Sequence, residues 1–305
     1  MGHLISLQDL SRGEIERIFS LAAELKNDRQ AYASALSGRA VVLIFEKPSL
    51  RTRVSFEVGI RQLGGNAIYL GQREINLDVR EPVPDVARTL SRYVEAAVLR
   101  TYNHKVICEF AQCADIAVVN ALSDLFHPCQ ALTDVWTLRE GLQRKDDITL
   151  AYVGDGNNVC HSLMFACAKT GINLNIATPE RYRPRAEITR QAREAAPGSG
   201  AQIKLFSRAQ EAVEGADAVY TDVWVSMGQE EERERRLKEF QGFQVNRRLL
   251  SLAKKDCLVM HCLPAHRGEE VGDGVLDDKN SLVFDQAENR LHLQKAVLIS
   301  LLTLD

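Results

Sequence analysis

The sequence alternates short apolar runs of strand length with longer stretches of helical period. Two of the helical stretches, Thr52-Leu63 and Ala131-Glu140, are each followed by glycine, which can adopt the left-handed conformation that ends a helix. Strands that alternate with helices favour parallel sheets covered on both faces, and hence an α/β fold. The apolar runs are Ala40-Phe45, Ala96-Arg100, Ile116-Asn120, Leu150-Val153, Leu174-Ala177, Ala218-Thr221 and Cys257-His261.

The length of the chain favours two domains. A chain of 305 residues exceeds what one compact core usually contains. The charged stretch Gln143-Asp147 interrupts the apolar pattern, so we expect residues 1–142 to form the first domain and residues 143–285 the second. Apolar side chains recur at helical spacing in residues 286–305, which predicts a C-terminal helix packed against one of the two cores.

Composition excludes several classes of protein. The formal net charge of -3 offers no protein-wide attraction for nucleic acid or for an anionic membrane surface. The seven cysteines include no Cys-x-x-Cys pair, which indicates reduced thiols rather than a disulfide framework or a structural zinc site. The amino terminus lacks the pattern of a secretory signal. We therefore expect a cytoplasmic protein without nucleic-acid or membrane partners.

A first candidate site lies at Lys47-Pro48-Ser49-Leu50-Arg51-Thr52-Arg53, where an apolar strand ends and a helix begins. The free N–H groups of a helix start bind anions, hydroxyl groups can donate, and an arginine can hold two oxygens at once. This combination predicts a phosphate site. A serine N-cap followed by surface arginines explains the same residues structurally. The Walker pattern is absent, which favours a phosphate smaller than a nucleoside triphosphate.

Two further strand ends carry polar side chains. Arg100 closes one apolar run, and ligands of α/β sheets gather at the carboxyl ends of strands. His127-Pro128-Cys129-Gln130 follows another run; a neutral imidazole can donate to a carbonyl oxygen, and Gln130 can bind an amide. Each residue on its own also has a structural explanation. Arg100 could mark the point where a strand leaves the core for solvent, and His127 could cap the helix that follows it.

The second half of the chain offers groups for an amino acid. Gly154-Asp155-Gly156-Asn157-Asn158 follows a strand, but Val159 stands where a dinucleotide fingerprint needs a third glycine. Asn158 can instead bind a zwitterion. Asp222 offers a carboxylate for an ammonium group, and Ser226-Met227-Gly228 offers a turn. The charged segment Gly228-Gly242 that follows is either a solvated helix or loop, or a lid over a nearby site.

The segment His261-Cys262-Leu263-Pro264-Ala265-His266 admits three interpretations. Two histidines and a cysteine suggest a metal, but they lack the usual ligand spacing and a fourth partner, so we expect none. A thiol beside an attacking amine is the functional alternative. A buried cysteine at a strand end is the structural one.

Together these motifs resemble the aspartate/ornithine carbamoyltransferase family. The run from Ser49 to Arg53, Arg100 and His127-Pro128-Cys129-Gln130 are similar to its carbamoyl phosphate site. The motifs from Asp222 to Gly228 and from His261 to Pro264 are similar to the ornithine branch. They occur in the order found in the family and extend to Arg290.

The resemblance implies roles for individual residues. It implies catalytic roles for Arg100, His127 and Cys262, an ornithine site, and a carbamoyl phosphate site, without metal or organic cofactor. The implied ornithine-binding residues are Asn158, Asp222, Ser226 and Met227. The implied carbamoyl phosphate-binding residues are Ser49, Leu50, Arg51, Thr52, Arg53, Arg100, His127, Gln130, Cys262, Leu263 and Arg290.

The resemblance also implies an architecture: a homotrimer, or a multiple of it, of two-domain subunits whose C-terminal helix packs back on the first domain. The sequence departs from the family at Leu50, often threonine, and in the segment Leu77-Glu81, which resembles a loop that reaches a neighbouring subunit. Two alternatives remain at this point: a carbamoyltransferase for putrescine or an acylated ornithine, and a dinucleotide-binding oxidoreductase.

Overall fold

The computed structural model describes residues 2–30, 32–226, 228 and 230–303. It divides into two compact units, Met1–Thr133 with Glu288–Asp305, and Asp134–Ala287. Each unit contains a parallel sheet with its own core. The predicted α/β class is therefore confirmed.

Unit 1 is built on a four-stranded sheet in the order β2-β1-β3-β4, with every pair parallel. Because β2 and β3 lie on opposite sides of β1, the order of the strands reverses between β1 and β3. The α/β proteins bind ligands at the carboxyl ends of the two strands that flank such a reversal. The strands are β1 (Ala40–Phe45), β2 (Asn66–Gly71), β3 (Ala96–Arg100) and β4 (Ala117–Leu122). The helices that begin in this unit are α1 (Arg12–Asn27), α2 (Leu50–Gln62), α3 (Gln72–Ile75), α4 (Val83–Leu90), α5 (His104–Cys113) and α6 (Pro128–Leu142).

Unit 2 is built on a five-stranded parallel sheet in the order β7-β6-β5-β8-β9, whose winding reverses between β5 and β8. Its strands are β5 (Thr149–Val153), β6 (Asn173–Ala177), β7 (Ile203–Phe206), β8 (Ala218–Thr221) and β9 (Leu258–His261). Its helices are α7 (Asn158–Thr170), α8 (Ala186–Ala195), α9 (Ala209–Val213), α10 (Arg233–Glu239) and α11 (Arg247–Leu250), followed by α12 (Val283–Leu302). Short 3-10 turns cover Glu180–Tyr182, Ala196–Gly198 and Glu230–Glu232.

The C-terminal helix packs on the first unit, as the family resemblance implies. From Glu288 onward α12 belongs to unit 1, and Leu293, Ala296 and Leu298 are fully buried. A Cβ built on Gly59 of α2 would lie 3.1 Å from the Lys295 side chain, so the two helices are in close contact. Within the described residues, no helix has the length and apolar character needed to cross a membrane.

Candidate active site

The first turn of α2 follows β1 directly. Ser49 is the N-cap of the helix, and its Oγ accepts a hydrogen bond from Thr52 N at 3.2 Å. Arg51 is partly buried, whereas the Leu50 side chain is 73% exposed. Leu50 can therefore contribute its backbone N–H to an anion, but its side chain faces solvent.

Arg290 of α12 links the starts of α2 and α6. Its Nη1 donates to Gln130 Oε1, and its Nη2 donates to Thr52 Oγ1 at 3.2 Å. The Gln294 amide, oriented with its oxygen towards the guanidinium, accepts from Arg290 Nε at 3.1 Å. Because Arg290, Gln130 and Thr52 are all buried, these bonds fix the two helix starts side by side.

Arg100 and His127 lie at the same edge of the unit 1 sheet. Both are buried, at the end of β3 and immediately before α6. Burial, together with the nearby charges of Arg290 and Arg100, holds the pKa of His127 well below its usual value. His127 is therefore a neutral imidazole beside two guanidinium groups, suited to donating to an oxygen that gains negative charge.

Two other cations flank this edge. Burial lowers the pKa of Lys47, and the charge of Arg100 lowers it further; its Nζ lies 4.3 Å from the centre of the Tyr102 ring. Arg53 is exposed, and its Nε donates to Glu57 Oε1 at 2.9 Å while the guanidinium stacks over Tyr69. The backbone of Arg53 continues the first turn of α2, but its side chain is engaged by Glu57 and Tyr69.

In unit 2, Asp222 lies directly after β8 and is buried. Its Oδ2 accepts from Asn157 Nδ2 at 2.8 Å, and its Oδ1 accepts from Val223 N at 2.8 Å. Asn157 is also the N-cap of α7, accepting from Val159 N and Cys160 N. Asn158, the predicted ornithine ligand, is the partly buried first residue of α7. We did not select Asn157 from the sequence, although an asparagine immediately before a helix is a typical N-cap signal.

Cys262 follows β9 and contacts Asp222. Its Sγ donates to Asp222 Oδ1 at 2.9 Å. Burial and the Asp222 carboxylate hold the pKa of the thiol well above its usual value, so Cys262 is a neutral thiol and not a thiolate nucleophile. Leu263, the next residue, has a positive φ of 56°, and its N–H donates to His261 Nδ1 at 2.8 Å.

Asp222, His261 and Cys262 each place one ligand-type atom within 4.8 Å of the others. Distance alone would admit a metal ion, but the chemistry fits poorly. His261 already uses both ring nitrogens, with Nε2 lying 3.2 Å from Glu270 Oε1. A metal would also require a thiolate, which burial disfavours at Cys262.

The segment after Asp222 is held by hydrogen bonds from Arg236. Ser226 is partly buried, whereas Met227 lies outside the described residues. In α10 the buried Arg236 donates from Nη1 to Asp155 Oδ2 at 2.8 Å and to the Trp224 carbonyl at 2.9 Å. The charged segment Gly228-Gly242 thus contains the helix α10, which Arg236 ties to the turn after β5.

The chain matches the models of one protein family over nearly its whole length. Residues 2–140 match the carbamoyl-P binding domain of the aspartate/ornithine carbamoyltransferase family, and residues 146–301 match its Asp/Orn binding domain. The ornithine carbamoyltransferase of Archaeoglobus fulgidus is 51% identical over 304 residues, covering 99% of this chain and 98% of the relative. That of Anoxybacillus flavithermus is 49% identical, covering 98% and 96%.

A solved structure agrees with the sequence comparisons. The ornithine carbamoyltransferase from Pyrococcus furiosus is 48% identical and superposes with a TM-score of 0.95, covering 98% of this chain and 96% of that chain. The fold and both matched domains define a two-domain carbamoyltransferase. The chain belongs to the aspartate/ornithine carbamoyltransferase family, which confirms the resemblance read from its motifs and disfavours the oxidoreductase alternative.

Proposed function

We propose that the protein transfers the carbamoyl group of carbamoyl phosphate to the side-chain amine of L-ornithine, giving citrulline and phosphate. One observation carries the proposal: buried Arg100, neutral His127 and the Arg290–Gln130 pair meet beside an anion-binding helix start. The matched carbamoyl-P domain and the relatives named ornithine carbamoyltransferase support the choice of both substrates.

Unit 1 would bind carbamoyl phosphate. The phosphate would be held by the first turn of α2, with N–H groups and side chains of Ser49, Leu50, Arg51, Thr52 and Arg53. The carbamoyl group would be contacted by Arg100, His127 and Gln130. Arg290 is engaged by Gln130 and Thr52, so its contribution would be to hold these two groups in place.

Unit 2 would bind the acceptor. The α-amino group and carboxylate of ornithine would meet Asn158, Asp222, Ser226 and Met227, and the side-chain amine would approach Cys262 and Leu263. Asp222 supports this role because its carboxylate is pre-oriented by Asn157 and Cys262. The resemblance also implies that Cys262 and Leu263 bind carbamoyl phosphate, and this second role stays a prediction.

The transfer follows from these groups. A primary amine has a pKa of about 10.4 in water, so it must lose a proton before it can attack the carbamoyl carbon. A site rich in guanidinium groups favours the neutral amine. Arg100 and His127 would stabilise the negative charge that develops on the carbamoyl oxygen, an effect of about 3 kcal/mol per donor in comparable sites. As the C–N bond forms, the C–O bond to phosphate breaks; the phosphate stays at the first turn of α2 and takes up the proton that the attacking nitrogen releases, so no covalent intermediate is needed.

An acceptor panel tests the substrate. Purified protein with carbamoyl phosphate should form citrulline from ornithine, detected by a ureido colour reaction, and should use putrescine or N-acetylornithine poorly. Putrescine lacks the carboxylate, and acetylation removes the ammonium group that Asp222 would bind. A preference for either analogue would reject ornithine as the acceptor.

We also propose a homotrimer that acts in the cytoplasm in arginine biosynthesis. One stripe of α2 exposes the apolar side chains of Leu50, Val54 and Val58, and Ile68 is exposed on the edge strand β2, a surface suited to burial against another copy. All seven cysteines are free, as in a reducing compartment. Transfer from a mixed anhydride to an amine is downhill, which favours the synthetic direction, although one relative, from Halobacterium salinarum, is named catabolic.

A further inference from the structure

A second group of metal-ligand side chains lies in the turn that follows β9. His266, Glu269 and Glu270 each place one ligand-type atom within 4.8 Å of the others. The turn is closed by a hydrogen bond from Glu269 N to the His266 carbonyl at 3.0 Å, and Gly268, at its third position, has a φ of 90°. Glycine favours that conformation, so the sequence itself permits the turn that brings His266 beside the two glutamates.

Glu270 is fully buried, and one of its carboxylate oxygens is well satisfied. Its Oε1 accepts from His266 N at 2.5 Å and from His261 Nε2 at 3.2 Å. Leu263 N donates to His261 Nδ1, so that nitrogen carries no hydrogen and His261 is a neutral imidazole that donates through Nε2. The negative charge of the Glu270 carboxylate is therefore not balanced by His261.

The other oxygen, Glu270 Oε2, is shielded from solvent and accepts no hydrogen bond from the residues that the structure describes. It lies 3.8 Å from His266 Nδ1, and the same nitrogen lies 3.9 Å from Glu269 Oε2. A buried carboxylate oxygen without a partner is costly. Because this oxygen faces an imidazole and a second carboxylate, the arrangement indicates a ligand held between the three groups.

The charges around the group favour a cation as that ligand. Arg233 of α10 supplies one positive charge against the two negative charges of Glu269 and Glu270, which leaves one negative charge when His266 is neutral. Arg233 Nη2 donates to Glu269 Oε1, whereas its Nη1 lies 3.3 Å from Oε2. Glu269 can therefore offer Oε2 to a metal ion and keep its closer bond to Arg233.

We propose that His266, Glu269 and Glu270 bind a divalent transition-metal ion, for which Zn²⁺ is the best match. Imidazole nitrogen and carboxylate oxygen are both zinc ligands, and three of them leave the fourth tetrahedral position to water. Mg²⁺ and Ca²⁺ prefer oxygen ligands alone. Ligand atoms around a tetrahedral zinc ion are about 3.4 Å apart, so the two observed distances need to shorten by about 0.5 Å. His266 and Glu269, with side chains 45% and 21% exposed, are free to make that adjustment.

The ion would have a structural role at the carboxyl end of β9. Glu270 is hydrogen-bonded to His261, the last residue of that strand, and such bonds orient a metal ligand. The ion would join the turn to the strand end and stabilise the folded chain by binding to it. Carbamoyl transfer does not require this ion, so the inference is independent of the proposed function.

A zinc titration tests the site. Wild-type protein dialysed against EDTA should bind one Zn²⁺ per chain in competition with a chromogenic chelator, and Zn²⁺ should raise its melting temperature. His266→Gln should weaken the affinity at least about tenfold and abolish the rise in melting temperature. Glu270→Gln should give the same loss. His266 is nearly half-exposed, so its variant should fold even if the buried Glu270 variant does not.

Two controls separate this site from other binding modes. Asp277→Asn removes an exposed carboxylate that pairs with Arg267 in the same segment, and it should keep the affinity for Zn²⁺. Cys262→Ala removes the thiol from the group formed with Asp222 and His261, and it should keep the affinity too.

Co²⁺ gives a spectroscopic readout of the ligands. Bound in place of Zn²⁺ through nitrogen and oxygen, it should show visible d–d bands without the thiolate-to-cobalt charge-transfer band that binding at Cys262 would give. The inference is overturned if the wild type binds no Zn²⁺, if His266→Gln and wild type bind it equally, or if Cys262→Ala loses it.

Discussion

Arg236 and Asp155 form an ion pair in a region from which solvent is nearly excluded. Arg236 Nη1 lies 2.8 Å from Asp155 Oδ2, and the side chains are 6% and 8% exposed. Burial raises the pKa of Asp155 to about 6, and the Arg236 charge opposes that rise. Since Arg236 also donates to the Trp224 carbonyl, the pair joins α10 to two turns at the carboxyl edge of the unit 2 sheet.

Removal of Arg236 from its ion pair with Asp155 should destabilise the folded protein. Arg236→Met leaves a buried carboxylate without its counter-charge, so we expect the free energy of unfolding to fall by about 3 kcal/mol. Urea unfolding followed by circular dichroism would measure the loss. Arg235→Met is the control, because the ion pair of Arg235 with Glu232 is half-exposed and its loss should change stability little. Equal losses in the two variants would contradict a special role for the buried pair.

Acid should destabilise the protein through His127. The folded protein holds the pKa of His127 well below 6.5, so the unfolded chain binds a proton there that the folded state does not. Stability should therefore fall as the pH drops below 6.5, with His127 contributing up to about 1.4 kcal/mol per pH unit. Unfolding titrations at pH 7.5, 6.5 and 5.5 should show a shallower loss for His127→Gln. Identical slopes for variant and wild type would exclude His127 as the cause.

Arg51 should contribute more to turnover than to the stability of the fold. It lies in the first turn of α2, and the proposed phosphate site would lose a bidentate donor in Arg51→Ala. We expect kcat/KM for carbamoyl phosphate to fall at least about 100-fold, as for loss of one preorganised donor, with an unchanged melting temperature. Arg61→Ala, at an exposed position in the last turn of the same helix, is the control and should keep near-normal activity. Near-normal turnover of Arg51→Ala would count against the phosphate site.

Charge on the exposed stripe of α2 should weaken assembly. Val54→Glu places a carboxylate between the exposed apolar side chains Leu50 and Val58 of the same helix, where burial against another copy would desolvate it. Light scattering should show a trimer for the wild type and a smaller species for Val54→Glu. Gln210→Glu adds the same charge on an exposed position of α9 in unit 2 and should leave the mass unchanged. A wild-type monomer would refute the trimer directly.

The sequence located buried strands better than partly exposed ones. The predicted runs Ala40-Phe45, Ala96-Arg100 and Ala218-Thr221 coincide with β1, β3 and β8, because strands buried on both faces read as continuous apolar runs. The edge strands β4 and β9 are largely buried and overlap the predicted runs Ile116-Asn120 and Cys257-His261. The sequence missed the other two edge strands, β2 and β7, which are mostly exposed or partly buried, because pairing with a neighbouring strand rather than burial of their own side chains defines them.

The sequence by itself determined the α/β class, the strand ends that carry polar groups and the family, because these depend on local periodicity and on motifs read in order. Only the tertiary structure decided which groups meet. Arg290 follows Gln130 by 160 residues, and Cys262 follows Asp222 by 40, yet each pair is joined by a hydrogen bond. Hydrogen bonds between side chains depend on how strands are ordered and helices packed, and no local pattern of residues encodes that geometry.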